Sequence, residues 1–161
     1  MDKSVERRHK EAVLRSVGRG LKQMGFERTK PTFFTRERGL VIEFVHLHKF
    51  SLSPKFRIHL GIRVLNDPFD STALNGPATS DAETFEFGED EASVNRCADQ
   101  IVLWCERSGL GWFNHWSDPC ALVSSGESPL DPDARDALAS ALSGEQNDEN
   151  VLRSRQLLGS A

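Results

Sequence analysis

The sequence predicts an α+β domain: an antiparallel sheet of three to four strands with helices packed on it. Three observations carry this. Residues 31–65, PTFFTRERGLVIEFVHLHKFSLSPKFRIHLGIRVL, read as three strands joined by two short turns. Strand side chains alternate in direction, so Phe56, Ile58, Leu60, Ile62 and Val64 share one face of the third strand and Arg57, His59, Gly61 and Arg63 the other. Residues 4–24 and 91–108 carry apolar side chains at three-to-four spacing, the pattern of helices that bury one face.

Taken in order, the first helix spans about 4–24. Val5, Ala12, Val13, Val17, Leu21 and Met24 stack on one side, and Arg7, Arg8, Lys10, Arg15, Arg19 and Lys22 fall mostly elsewhere. Gly18 and Gly20 weaken the helix locally and mark where a strand passes close, and Gly25 is a fitting stop. The strands follow at about 31–37, 40–50 and 55–65, with a turn at Glu37-Arg38-Gly39 and another at Ser51–Pro54. Short links make them antiparallel neighbours. Residues 66–82 are loop by composition, and 83–87 suit a short fourth strand. A helix over 91–108, led by Glu89-Asp90-Glu91, ends at Gly109; Val94, Cys97, Ala98, Ile101, Trp104 and Cys105 share a face. Trp112, Phe113 and Trp116 read as a core plug at one end of the sheet. Asp131-Pro132-Asp133 is a strong helix start, giving helices at about 132–143 and 148–158.

The length of 161 residues fits one domain, with a core over about 5–120 and a helical extension over about 121–161. No apolar run approaches a membrane span, and the charged opening MDKSVERRHKE is not a secretory signal. Three cysteines without CxxC spacing point to reduced thiols, hence a cytoplasmic protein. Charge is uneven: residues 1–63 carry a net +9 and residues 64–161 a net −13. The two halves either neutralise each other across the fold or present a basic and an acidic face to partners. The acidic remainder opposes a polyanion, which disfavours nucleic-acid binding through the basic first helix.

The order of elements is familiar. A helix ending in MGF, then FFTRE, VIEFVHLHKF and FRIHLGI, resembles a bacterial family known as domain of unknown function 4304, over roughly residues 5–120. The resemblance implies helices packed on an antiparallel sheet. It implies no activity, cofactor or catalytic residue.

One constellation has chemical content. His46 and His48, two apart on a strand, project from one face, and His59 lies on the polar face of the next strand. Strand 40–50 is apolar on both sides. If its odd-numbered side meets the helices, His46, His48, Arg57, His59 and Arg63 share the open face; otherwise the cluster does not form. An H-x-H strand with a third histidine beside it is a known zinc geometry. The flanking Arg57 and Arg63 oppose a cation and suit an anion, so neither metal nor cofactor is assigned. Cys97 and Cys105 read as small buried hydrophobes, and Cys120 with His115 forms no convincing dyad. The expected function is therefore a non-enzymatic binding domain whose partner is a protein or a small anionic ligand. It would dock on the open strand face or on the acidic half. Toxin neutralisation is one concrete form of this, by analogy of fold alone. The competing readings are an enzyme that uses the His/Arg cluster with a metal or an anion, and nucleic-acid binding.

Overall fold

The computed structural model describes residues 1–160. An antiparallel sheet runs in chain order through β1 (Glu27–Lys30), β2 (Phe33–Arg38), β3 (Val41–Lys49), β4 (Lys55–Val64) and β5 (Phe85–Glu86). Around it lie α1 (Lys3–Lys22), α2 (Glu91–Trp104), α3 (Leu110–His115), α4 (Pro119–Ser124), α5 (Pro132–Leu142) and α6 (Asp148–Leu158). The fold is α+β. Its five strands exceed the three to four expected by one. No described helix is long and apolar enough to cross a membrane.

The meander follows from short links between β1 and β4, which leave each strand no choice but its sequence neighbour. Gly39 takes φ of +60° in the turn from β2 to β3, where a side chain would be strained. The additional strand is β1, whose four residues ERTK show no apolar alternation. It is held from outside. The Arg28 guanidinium donates to both Glu11 carboxylate oxygens on α1, at 2.8 and 3.0 Å, and the Thr29 hydroxyl donates to the Leu158 carbonyl. Pro31 and Thr32 form the turn that follows, so the strand expected at 31–37 begins at Phe33 instead. The helix expected over 91–108 does not stop at Gly109. One π turn, Cys105–Gly109, carries it into α3. The short α4 falls where no element was expected. α5 and α6 lie where Asp131-Pro132-Asp133 and the segment after it placed them.

One face of the sheet meets α1 and α2. Phe34, Val41, Val45, Leu47, Phe56, Ile58, Leu60, Ile62 and Val64 pack there against Val13, Leu14, Val17 and Leu21 of α1 and Val94, Cys97, Ala98 and Ile101 of α2. Phe113 and Trp116 close the same core as the plug that was expected, with Trp112 packed at its margin. Gly18 of α1 approaches Phe34 of β2, and Gly20 approaches Val102 of α2. One carboxylate sits on this face. Glu43 is buried and held by Arg36 at 2.6 Å and Arg38 at 3.5 Å. Arg36 also donates to the Met24 carbonyl and lies over the Phe26 ring. Buried charge is tolerated only when paired in this way.

The opposite face is covered over half its length. Ile42 and Phe44 of β3 pack with Phe33, Leu65 and the α6 residues Val151 and Leu158. Full burial of each such side chain contributes about 1.5–3 kcal/mol. The tip of the Phe44 ring lies over Gly61, its partner on β4; a side chain at 61 would occupy the volume of that ring. α6 spans this half, with its Leu158 carbonyl bonded to Thr29 of β1 and Ser154 bonded to the Leu65 carbonyl beyond β4.

Candidate functional site

The register places the histidines together. β3 and β4 pair Ile42 with Arg63, Phe44 with Gly61, His46 with His59 and His48 with Arg57. All eight residues lie on the face that α6 partly covers. The odd-numbered side of β3 is the one against α1 and α2, so the arrangement required for the cluster is the one found. α6 covers the rows at 42 and 44. The rows at 46 and 48 lie outside the cluster of side chains packed beneath it.

The three imidazoles form a near-equilateral triangle. Ring centroids are 6.0 Å apart for His46 and His59, 6.3 Å for His48 and His59, and 6.5 Å for His46 and His48. His48 is exposed, and His46 and His59 are half-buried. The Nδ1 of His46 lies 3.2 Å from the Thr32 carbonyl oxygen, which can only accept. The Thr32 hydroxyl lies 3.3 Å from the same nitrogen and can donate to it, so the tautomer is set by which Thr32 oxygen Nδ1 engages. The same ring stacks on Phe33 at 4.3 Å. Burial pushes the His46 imidazole below its ordinary pKa; the Thr32 bond opposes this, and His59 and His48 add to it. Burial also lowers His59, helped by the positive charge of Arg57 and by His48. Both rings thus favour the neutral form.

Arg57 stands beside the triangle. One of its terminal nitrogens pairs with Asp81, an exposed carboxylate on the loop before β5, and the guanidinium lies 5.3 Å from the Phe50 ring centroid. Its Nε is buried and has no hydrogen-bond partner among the described residues. Arg63 does not join the site. Although it shares the face of Arg57 and His59, it lies in the covered half and is buried. It donates to Ser154 Oγ at 3.0 Å and to the carbonyls of Ser71, Asp67 and Phe69 at 2.7–2.9 Å. Its role is to tie β4 to α6 and to the following loop. The sequence reading also missed three neighbours. Phe33 and Thr32 were reachable in principle, because Phe33 pairs with His46 in the β2–β3 register. Asp81 comes from a loop whose sequence carries no signal of where it lands.

The remaining nucleophiles and charges sort plainly. Burial drives the thiols of Cys97 and Cys105 up to about 12, which leaves them un-ionised. His9 points Nδ1 at the Gly88 carbonyl, at 2.9 Å, in a structural role. Several of the ion pairs form within the basic half, among them Arg28–Glu11, Arg36–Glu43 and Lys49–Glu6. Others join the two halves, among them Arg57–Asp81 and Arg63–Asp67. Asp131, Asp133 and Asp136 line a cleft of about 520 Å³ with Asp67 and the exposed Phe69.

Comparison with protein-family models, with curated proteins and with solved structures finds no match to this chain. The resemblance to domain of unknown function 4304 rests on its residues alone.

Proposed function

We propose that this chain is a cytoplasmic binding domain that takes an anionic group, from a small ligand or from a protein partner, on the open half of the sheet at His46, His48, His59 and Arg57. The observation that carries the reading is the state of Arg57. Among the described residues its one carboxylate partner is Asp81, 86% exposed at the side chain. An ion pair of that kind is worth about 0–1 kcal/mol. A carboxylate or phosphate on the ligand can therefore replace Asp81 at little cost, and the guanidinium fork suits both groups. The imidazoles add N–H donors, and Phe33 and Phe50 supply apolar walls.

Inorganic phosphate and a glutamate-rich peptide serve as probes, titrated calorimetrically in the presence of EDTA. Saturable binding of either is expected. It should fall at least about tenfold in Arg57→Ala, the loss of a hydrogen bond to a charged group. Absence of saturable binding by both probes, or binding untouched by Arg57→Ala, would overturn the reading. The acidic cleft between the 66–70 loop, α5 and α6 supports a second reading, capture of a basic partner segment. A neutralised toxin is one such partner. Binding of a lysine-rich peptide that disappears in Asp133→Asn/Asp136→Asn would favour it.

A further inference from the structure

We infer that residues 80–84 form a latch beside the anion site, in which Asp81 holds the place on Arg57 that the ligand's anionic group takes on binding. The inference rests on the reading above. It adds a competitor built into the chain and the segment that must swing away.

The chain between β4 and β5 is pinned on both sides of Asp81. Before it, residues 75–79 run along the outer edge of β4 in place of a strand. The Asn75 side-chain amide bonds both backbone groups of Ile62, at 2.9 and 2.8 Å. Gly76 and Pro77 bond the backbone of Leu60, Ala78 bridges His59, and Thr79 bonds both backbone groups of Ile58 at 3.0 Å. After it, Phe85 pairs with Phe56, and the Phe87 amide donates to the Pro54 carbonyl. Between these anchors the segment has one backbone bond of its own, from the Glu83 amide to the Ser80 carbonyl. Among the described residues, its one hydrogen bond or ion pair with the sheet is that of Asp81 with Arg57. Ser80, Asp81, Ala82 and Glu83 are exposed, so little burial holds the segment down. A stretch with few buried contacts between two fixed ends opens locally at small cost.

Arg57 is what the latch closes on. It lies opposite His48 and two residues from His59. A guanidinium offers its donors in a planar fork that suits a bidentate oxyanion. Asp81 meets a terminal nitrogen and leaves Nε unmatched, so the pair uses only part of the fork. A ligand oxyanion that takes the terminal nitrogen cannot share it with Asp81, because the two anions repel. Loss of the pair also removes the one polar tie between residues 80–84 and the sheet. Displacement of Asp81 and opening of the segment are then the same event. The closed latch lowers the apparent affinity for an anion according to the fraction of molecules in which Asp81 occupies Arg57.

The test titrates inorganic phosphate and the glutamate-rich peptide, in EDTA, into the full-length parent, Asp81→Asn and Glu83→Gln. Asp81 is exposed, so Asp81→Asn keeps the fold. It should bind about two- to fivefold tighter than the parent, the gain that an exposed ion pair can mask. Glu83→Gln removes the same charge from the same segment without breaking an ion pair to Arg57, and should leave the affinity unchanged. Motion is read separately, by a spin label on Ala82→Cys in a Cys120→Ser background, where the two remaining cysteines are buried. The label should be restrained in the ligand-free protein, mobile once phosphate saturates it, and mobile without ligand when Arg57→Ala is added. Equal affinity in the parent and Asp81→Asn, or equal gains in Asp81→Asn and Glu83→Gln, overturns the latch. So does a label no more mobile with Arg57→Ala than without it. In these cases the anion reading stands as long as Arg57→Ala still loses binding. Failure of both the parent and Asp81→Asn to bind either probe overturns the latch and the anion reading together.

Discussion

One face of the sheet is treated in two opposite ways along its length. In the covered half, α6 lies over Ile42 and Phe44, and Arg63 spends its guanidinium on four acceptors. In the open half, two rows further along the same strands, His46, His48 and His59 lie outside the cluster beneath α6 and Arg57 pairs with an exposed carboxylate. The residue types in the two halves are similar, arginine and aromatic rings at the same alternate positions. Their roles differ because one helix reaches only part of the face. A polar side chain under a helix must satisfy itself within the protein, and one beyond it is available to a ligand.

The largest effect that sharpens this contrast is expected from Arg63→Ala. It leaves three carbonyls and the Ser154 hydroxyl without their donor inside the protein, and should cost about 3–5 kcal/mol in urea unfolding. Arg57→Ala, on the same strand face, should cost less than about 1 kcal/mol. Similar losses for the two arginines would erase the distinction between the halves. A smaller loss, about 1–3 kcal/mol, is expected for Gly61→Ala, whose added methyl displaces the Phe44 ring from beneath α6. Thermal unfolding reads it, and a variant as stable as the parent would mean that the covered half is loosely packed. The smallest effect belongs to the open half. His46 and His59 are held below the ordinary value of 6.5 in the folded chain, mainly by burial. The unfolded chain therefore takes up protons that the folded chain resists. Stability should be full above about pH 6.5 and fall as pH drops through that value toward the folded pKa values. Urea midpoints from pH 5.5 to 7.5 should show this slope in the parent and a flatter one in His46→Gln/His59→Gln. An unchanged slope would mean that the open half does not press on its histidines.

Much of this arrangement was legible in the sequence. β4 declared its two faces by strict alternation, and the histidines followed from spacing on β3. The register that joins His46 to His59 needed only short links between strands. The rest failed for particular reasons. β3 is apolar on both sides because α6 returns from residues 148–158 to cover one end of it, and no local pattern announces a helix landing some hundred residues upstream. For the same reason Arg63 was grouped with Arg57: periodicity assigns a face but not how much of that face is covered. β1 escaped notice because its stability comes from Arg28 and Thr29 reaching α1 and α6, not from burial of its own side chains. Gly109 was taken as a helix stop, but the π turn absorbs it with φ of −66°, an ordinary helical value.

The reach of α6 has a further consequence for the order in which the molecule assembles. The bonds from Leu158 to Thr29, from Ser154 to Arg63 and from Arg155 to Glu37 join residues separated by 129, 91 and 118 positions. The hairpins of the meander close over a few residues and can form early, since short loops lose little entropy. Docking of α6 closes the longest loops in the fold and belongs to the late part of the reaction. Until it happens, the covered half presents Ile42, Phe44 and Arg63 to water, and the whole face has the character that its open half keeps in the finished protein. Interactions made by α6 should therefore govern how slowly the folded chain opens more than how fast it forms.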